Sequence, residues 1–202
     1  MSDDGESYIH IHALRHDGTF YPVADKKLKM EFIGDSITSG EGLFGAKSEQ
    51  DWIPMFFSAV RSYAYQTAER LDAEYRIFSQ SGWGVHNTWD NNINGALPKY
   101  YKEICSLMPG AENERLGGKQ PHDFASWQPD VVVVNLGTND AASFDQPAWT
   151  DTQTGERYKM RREADGSYCM EDVKAFQQAA KAFLGLLRSC NPSAQIVWCF
   201  GM

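Results

Sequence analysis

The sequence lacks both a surplus of basic residues and a long apolar run. Its 19 Lys and Arg residues face 27 Asp and Glu residues, which gives a formal net charge of −8 at pH 7. Nucleic acids and anionic membrane surfaces are bound by basic patches, so this charge balance argues against both as partners. No apolar run approaches the roughly 20 residues that a transmembrane helix requires, and no membrane partner is expected.

Cysteine is scarce as well. The four cysteines are widely spaced and include no Cys-x-x-Cys pair, so they predict neither a zinc site nor a disulfide framework. His10 and His12 share one face of a predicted strand, but no third ligand accompanies them, and we expect surface histidines rather than a metal site. The first seven residues show no signal peptide. The compartment therefore stays open: secretion would need a leader further upstream, and the protein is otherwise expected in the cytoplasm.

The apolar residues that are present follow the periods of an α/β protein. The run Val131–Val134 has no polar alternation, which predicts a strand buried on both faces, as in a parallel sheet. Strand and helix patterns alternate along the chain and predict a doubly wound α/β domain. The predicted sheet strands are residues 29–33, 75–79, 131–135 and 195–200, and the predicted helices are residues 62–73, a helix beginning at Pro98, and residues 171–188.

Three of these strands end in small or polar residues. Gly-Asp-Ser follows the first at 34–36, Ser-Gly-Trp-Gly follows the second at 81–84, and Gly-Thr-Asn-Asp follows the third at 137–140. In an open parallel sheet, ligands bind beyond the carboxyl ends of the strands. We therefore expect these three segments to converge on one edge of the sheet.

The three segments contain the groups that acyl transfer requires. Ser36 is the candidate nucleophile, although a serine between a strand and a helix can also act simply as a helix cap. The backbone N–H groups of Ser36 and Gly82 and the side-chain amide of Asn139 are candidate donors to an oxyanion. Asp35 and Asp140 are expected to support the site by bonding loop N–H groups and shaping the turns.

Residues 40–45 spell Gly-x-Gly-x-x-Gly, the pattern of a dinucleotide-binding turn. The pattern begins seven residues after the strand, and no acidic strand end follows about 20 residues later, as the nucleotide fingerprint demands. We interpret this segment as a substrate-side loop.

The three segments resemble the first three of the four blocks that define the SGNH (GDSL-type) hydrolases. Ser36, Gly82 and Asn139 occupy the Ser, Gly and Asn positions of those blocks, in the family's order. The resemblance covers residues 29–200. It implies a flavodoxin-like three-layer α/β/α fold and ester hydrolysis through a serine, with no metal and no other cofactor.

Narrower features resemble carbohydrate esterase family 2. They are the alternating residues 8–14, the turn at 17–18, and the segments 31–40, 98–101 and 127–135. In that family a β-sandwich domain runs into the SGNH domain, which implies that residues 1–27 end such a domain and that residues 28–202 form the SGNH domain. The resemblance also implies removal of acetyl groups from xylan or related oligosaccharides. Trp83, Trp89 and His86 are candidate substrate contacts, the two tryptophans as exposed rings that stack on sugars.

The family's fourth block, Asp-x-x-His, has no counterpart here, because the sequence has no histidine after His122. We therefore expect the SGNH domain to be incomplete at its C-terminus, with the activating histidine supplied by a further C-terminal segment of the protein. His86 is the one histidine predicted at the correct edge of the sheet. Lipases, lysophospholipases and thioesterases of the same fold are alternatives, as is a catalytically incomplete carbohydrate-binding or scaffold fragment.

Overall fold

The valine run forms one of the two central strands of a parallel sheet. The computed structural model describes residues 11–45, 47 and 49–199. Its strands are β1 (Leu28–Gly34), β2 (Ala73–Ser79), β3 (Val131–Asn135), β4 (Trp149–Thr150), β5 (Arg157–Tyr158) and β6 (Gln195–Cys199). Its α-helices are α1 (Ser36–Ser39), α2 (Tyr63–Arg70), α3 (Ala111–Arg115), α4 (Thr138–Ala142) and α5 (Met170–Cys190). Short 3₁₀ helices span Pro54–Phe56, Ala59–Arg61, Ile93–Gly95, Leu97–Tyr100, Phe124–Ser126 and Ser143–Asp145.

The main sheet has the strand order β2-β1-β3-β6, and all of its neighbouring strands are parallel. Gly34, the last residue of β1, lies opposite both Ser79 of β2 and Asn135 of β3. Asn135 in turn lies opposite Cys199 of β6. The four strands therefore end level with one another, and the loops that follow them emerge at the same edge of the sheet.

Helices cover both faces of this sheet. On one face, residues of β1 and β3 pack against α5 through Phe183 and Leu187. On the other face, Met30, Phe32 and Val133 lie in one apolar cluster with Ala64 and Ala68 of α2. The α/β class and the three-layer arrangement predicted from the sequence are confirmed. Within the described residues, no helix is both long enough and apolar enough to cross a membrane.

The predicted helix beginning at Pro98 is wrong. Leu97–Tyr100 forms a single 3₁₀ turn, and no α-helix follows it before α3. The side-chain amide of Asn113 donates to the carbonyls of Cys105 at 2.9 Å and Met108 at 2.8 Å. These carbonyls are therefore satisfied by a distant side chain rather than by the N–H groups of a helix. The other predicted helices are confirmed to within a few residues.

The predicted strand over residues 8–14 is absent where it can be examined. Residues 11–14 have no regular structure and are exposed, while residues 8–10, including His10, lie outside the described residues. The whole of 11–27 contains neither helix nor strand. An extended segment gains stability from a neighbouring strand, and none of the described strands pairs with this one. The β-sandwich domain expected over residues 1–27 stays a prediction.

Candidate active site

The loops that follow β1, β2 and β3 surround one cavity of about 430 Å³. Its lining includes the three residues singled out from the sequence as nucleophile and oxyanion donors. The lining residues are Ser36, Glu41, Trp52, Ser81, Gly82, Trp89 and Asn139. The level strand ends thus bring together side chains that lie up to 103 positions apart in the sequence, 139 minus 36.

Ser36 opens helix α1 at a tight turn after β1. The carboxylate of Asp35 caps the helix by accepting the N–H of Ile37 at 3.0 Å. Gly40 ends the helix with a φ of +82°, and a Cβ there would lie 2.3 Å from the carbonyl oxygen of Ser58. Only glycine fits this position. The turn that carries Ser36 is therefore held at its start by the Asp35 carboxylate and at its end by the close approach of Gly40 to Ser58.

Asp35 carries a perturbed carboxyl directly beside Ser36. Burial raises its pKa to about 6, and the charges of Asp140 and Glu41 add to that rise. The hydrogen bond from the N–H of Ile37 acts in the opposite direction. Three carboxyl groups thus lie in the region around the nucleophile, and the charges of Asp140 and Glu41 disfavour the ionised form of Asp35.

Asn139, near the start of α4, connects the other two loops. Its Nδ2 donates to the carbonyl of Trp83 at 3.0 Å and to the carboxylate of Asp35 at 3.3 Å. A side-chain amide nitrogen has two protons, so each contact can take one of them. The amide is therefore held between the nucleophile's turn and the loop after β2.

Asp140 organises the loop that follows Gly82. Its carboxylate is 2% exposed and accepts the backbone N–H groups of Val85 at 2.9 Å, His86 at 2.7 Å and Asn87 at 3.4 Å. At Gly84, a Cβ would lie 2.3 Å from one carboxylate oxygen, so the chain can approach only without a side chain. Burial raises the pKa of Asp140, and the three N–H donors oppose that rise.

A buried asparagine that the sequence analysis did not single out, Asn91, fastens this loop to the segment after α4. Its Nδ2 donates to the carbonyls of Ser143 at 2.9 Å and Pro147 at 3.0 Å, and its Oδ1 accepts the N–H of Met160 at 2.8 Å. Its φ is +72°, a conformation that asparagine adopts more readily than most residues. The sequence signal that could have identified Asn91 was its position in a segment rich in turn-forming residues.

The two tryptophans predicted to be exposed behave differently. Trp89 is 41% exposed and lines the cavity. Trp83 is only 7% exposed, with its ring 5.1 Å from that of Tyr100, so the expectation of an exposed ring at this position is wrong. Its contribution to the site is its backbone carbonyl, which holds Asn139.

His86 lies on the correct loop but is not among the lining residues. None of the histidines in the described part of the chain lines the cavity. His86 is half-buried, and its backbone N–H donates to the carboxylate of Asp140 at 2.7 Å.

Three lining residues, Glu41, Trp52 and Ser81, were not singled out by the sequence analysis. Glu41 lies in the glycine-rich segment 40–45, which was interpreted only as a substrate-side loop, and Trp52 follows that segment. Its Gly-Glu-Gly at 40–42 was the available signal, because a charged residue between two glycines close to a nucleophile has little reason to be there for packing.

Comparisons with known proteins agree with this geometry. The family model of the GDSL-like lipases/acylhydrolases matches residues 32–202. The chain belongs to this family. This confirms the SGNH resemblance, and relatives of the family 2 carbohydrate esterase type bear out the narrower one.

Among solved structures, an acetyl xylan esterase (Est2A) from the rumen bacterium Butyrivibrio proteoclasticus is 50% identical with a TM-score of 0.88, covering 93% of this chain and 50% of that one. A family two carbohydrate esterase from Clostridium thermocellum, in complex with cellohexaose, is 27% identical with a TM-score of 0.63, covering 90% and 45%. An acetylxylan esterase / glucomannan deacetylase of Cellvibrio japonicus is 32% identical over 174 residues, 85% of this chain and 42% of the relative. This GDSL-like chain spans about half the length of the relatives it matches.

Proposed function

We propose that this chain carries the nucleophile and oxyanion donors of a carbohydrate O-acetyl esterase, with Ser36 as the nucleophile. The observation that supports this most strongly is that Ser36, Gly82 and Asn139 line one cavity. Membership of an acylhydrolase family and similarity to proteins named acetylxylan esterases support the reaction and the substrate class.

In this proposal, Ser36 Oγ attacks the carbonyl carbon of the acetyl ester and its proton passes to a base. The carbonyl oxygen becomes an oxyanion that accepts the N–H groups of Ser36 and Gly82 and one proton of the Asn139 amide. Collapse breaks the bond between the acetyl carbon and the sugar oxygen, which takes up the proton from the base and leaves as a hydroxyl, so that Ser36 remains as an acetyl-serine. Water then attacks this ester, releasing acetate and restoring Ser36.

The resting contacts of Asn139 are consistent with that role. Of its two acceptors, the carboxylate of Asp35 is the more distant, at 3.3 Å against 3.0 Å for the carbonyl of Trp83. An oxyanion can therefore take the proton that faces Asp35 while the contact with Trp83 keeps the amide in place. Asp35 and Asp140 act as positioning residues for the nucleophile's turn and the Gly82 loop.

No described histidine lines the cavity, so the histidine base of the four-block family is not among its lining residues. We propose that an activating histidine comes from sequence outside these 202 residues, as the resemblance to the four-block family implies. Losing the histidine of a serine triad lowers kcat by about 10⁶, while oxyanion donors and binding retain roughly 10³–10⁴ over water.

A non-catalytic carbohydrate-binding role is the second candidate. Two exposed tryptophans, Trp52 and Trp89, line a cavity that no described histidine enters. Aromatic rings present large apolar faces at little conformational cost, which suits a sugar-binding surface. An unactivated Ser36 in such a cavity would leave a binding module.

Labelling by a fluorophosphonate together with turnover of p-nitrophenyl acetate separates the two candidates. The experiment compares wild type with Ser36→Ala, with His86→Ala, and with a control, Ser189→Ala, which changes an exposed serine of α5. If the protein is an esterase, the protein that carries the base should be labelled and should turn over the ester. Of the three variants, only Ser36→Ala should abolish both. Failure of Ser36 to label in that protein would favour the binding module. Loss of turnover in His86→Ala would make His86 the base and refute the proposal of a histidine from outside these residues.

A preference for long acyl chains over acetate would favour a lipase or thioesterase.

A further inference from the structure

One lining residue of the cavity, Ser81, has no role in the proposed reaction. Ser81 is 6% exposed, and it is the only buried residue among the described ones that line the cavity. The lining tryptophans are far more accessible, Trp52 at 60% exposed and Trp89 at 41%. Ser81 therefore lies on the floor of the cavity, and the two tryptophans lie at its mouth.

The hydroxyl of Ser81 is unpaired in the described part of the chain. Its Oγ is closed off from solvent and has no hydrogen-bond partner there. Buried hydroxyls normally find a partner, because an unpaired one costs free energy. A serine hydroxyl has three staggered positions and can both donate and accept a hydrogen bond. Since no existing bond is lost when it turns, this hydroxyl can pair with a polar group that a ligand brings to the floor of the cavity.

The proposed reaction determines which part of the substrate reaches this floor. The ester carbon must lie against Ser36, with its oxygen directed at the N–H of Gly82 and the amide of Asn139. Two further groups on that carbon then need room, the sugar and the acyl substituent. The sugar is much the larger and needs the open mouth of the cavity. The acyl substituent is therefore directed to the floor, where Ser81 directly precedes Gly82 in the chain.

We infer that Ser81 determines the acyl selectivity of the ester site. Its hydroxyl pairs with an acyl group that carries a hydroxyl beside the ester carbonyl, as in hydroxyacetyl (glycolyl) esters, and disfavours an apolar acyl group of the same length. This rests on the proposed function and extends it, because glycolyl esters are hydrolysed through the same acyl-serine, with release of glycolate. A propionyl group would leave the Ser81 hydroxyl buried and unpaired, and sites that bond a substrate hydroxyl discriminate against the analogue that lacks it.

The test uses two esters of one alcohol, phenyl glycolate and phenyl propionate, in the protein that shows Ser36-dependent turnover. Their acyl groups match in length, and differences in intrinsic reactivity cancel when the glycolate-to-propionate ratio of kcat/KM is compared between wild type and Ser81→Ala. We expect this ratio to fall roughly tenfold in Ser81→Ala, the effect of one buried hydrogen bond. Ser58→Ala is the control, because it removes a hydroxyl that is also buried and unpaired, in a residue 4% exposed that does not line the cavity.

A ratio unchanged in Ser81→Ala, or lowered equally in Ser58→Ala, would overturn the inference while leaving the esterase intact. A binding measurement keeps the inference testable without catalysis and without a folded variant. The corresponding amides, glycolanilide and propionanilide, are titrated into wild type by calorimetry. Tighter binding of glycolanilide is expected, and it would support the selectivity even if turnover, and with it the proposed function, failed. Equal binding of the two anilides, tighter binding of propionanilide, or binding of neither would refute it.

Discussion

The two walls of the cavity are built differently. The oxyanion wall, residues 81–92 with Asn139, contains several buried polar side chains, among them Asn87 and Asn91, which donate to backbone carbonyls. Trp89 is its exposed residue. The outer wall, the described residues of 41–56, leaves large apolar side chains in solvent. Examples are Phe44, Trp52 and Met55.

This difference follows from what each wall has to do. Stabilising a developing oxyanion requires dipoles that are already aimed before the reaction begins, and buried hydrogen bonds fix them. Contact with a flat sugar ring needs an accessible aromatic face rather than a fixed dipole. Substitutions in the oxyanion wall should therefore affect stability and kcat, whereas substitutions in the outer wall should affect KM and selectivity.

The largest effect is expected from Asp140→Ala. The substitution leaves three N–H groups without their acceptor, of which those of Val85 and Asn87 are buried and that of His86 is partly buried. Each unsatisfied group costs about 1–3 kcal/mol, so the free energy of unfolding should fall by at least about 3 kcal/mol, as measured by urea denaturation. Asp145→Ala is the control, because it removes only an exposed ion pair with Arg162 and should change stability by about 1 kcal/mol or less. Equal effects of the two substitutions would contradict the proposed rigidity of the oxyanion wall.

Next in size is Asn139→Ala. Loss of an oxyanion donor should lower kcat by about 10²–10³ with little change in KM, because the donor acts on charge that develops in the transition state. Steady-state kinetics with p-nitrophenyl acetate provide the measurement. Asn94→Ala, at an exposed asparagine of the same region that does not line the cavity, should leave both constants unchanged. A kcat within threefold of wild type in Asn139→Ala would remove this residue from the oxyanion hole.

A smaller effect concerns the pH dependence of stability. The pKa of Asp35 is raised to about 6 in the folded protein. The folded state therefore holds a proton that the unfolded state has already lost, and stability should fall as pH rises from about 4 to about 6. The loss should be at most about 3 kcal/mol, at 1.36 kcal/mol per pKa unit.

Substitution of Asp35 by Asn should flatten this part of the stability curve, measured by urea denaturation between pH 4 and 7. Asp123→Asn is a matched control, since Asp123 also caps a short helix, by accepting the N–H of Ala125 at 3.0 Å, but it is exposed. The slope should persist in that variant. A slope that also persists in Asp35→Asn would assign the titration to another carboxyl group.

Features of the fold and the site that depend on residues close together in the sequence were predicted, whereas features that depend on contacts between distant residues were not. The apolar run of β3 and the small residues after each strand are local patterns, and parallel pairing brings the strand ends together without further information. Ser36, Gly82 and Asn139 accordingly lie at one cavity, as expected, while their catalytic roles stay a prediction. The helix predicted after Pro98 failed because Asn113, a residue outside it, takes over two of its carbonyls.

Burial within a single loop was equally hard to predict. Trp83 and Trp89 lie six positions apart, and the first is buried because it packs into the core cluster with Leu97 and Tyr100, residues that lie beyond the loop in sequence. Trp52 could not be connected with the cavity, because it follows a glycine-rich segment that has no period from which a direction can be inferred. The residues of the outer wall were therefore harder to predict from the sequence than those of the oxyanion wall.

The smallest predicted effect tests that wall. Trp52 is 60% exposed, and its indole N–H donates to the carbonyl of Glu49 at 3.1 Å, which leaves the ring against the cavity. Trp52→Ala should raise KM for an acetylated xylo-oligosaccharide by roughly fivefold, about 1 kcal/mol of lost apolar contact. It should leave kcat/KM for p-nitrophenyl acetate unchanged, since that ester lacks a sugar ring.

The control is Met55→Ala, which shortens another exposed apolar side chain of the outer wall that does not line the cavity. Neither variant should change the free energy of unfolding by more than about 0.5 kcal/mol, because both side chains are largely in solvent. A fall in kcat for both substrates in Trp52→Ala would mean that the outer wall also orients the reacting groups. The separation of catalytic and binding roles between the two walls would then be wrong, because an exposed side chain of the outer wall would be contributing to the transition state.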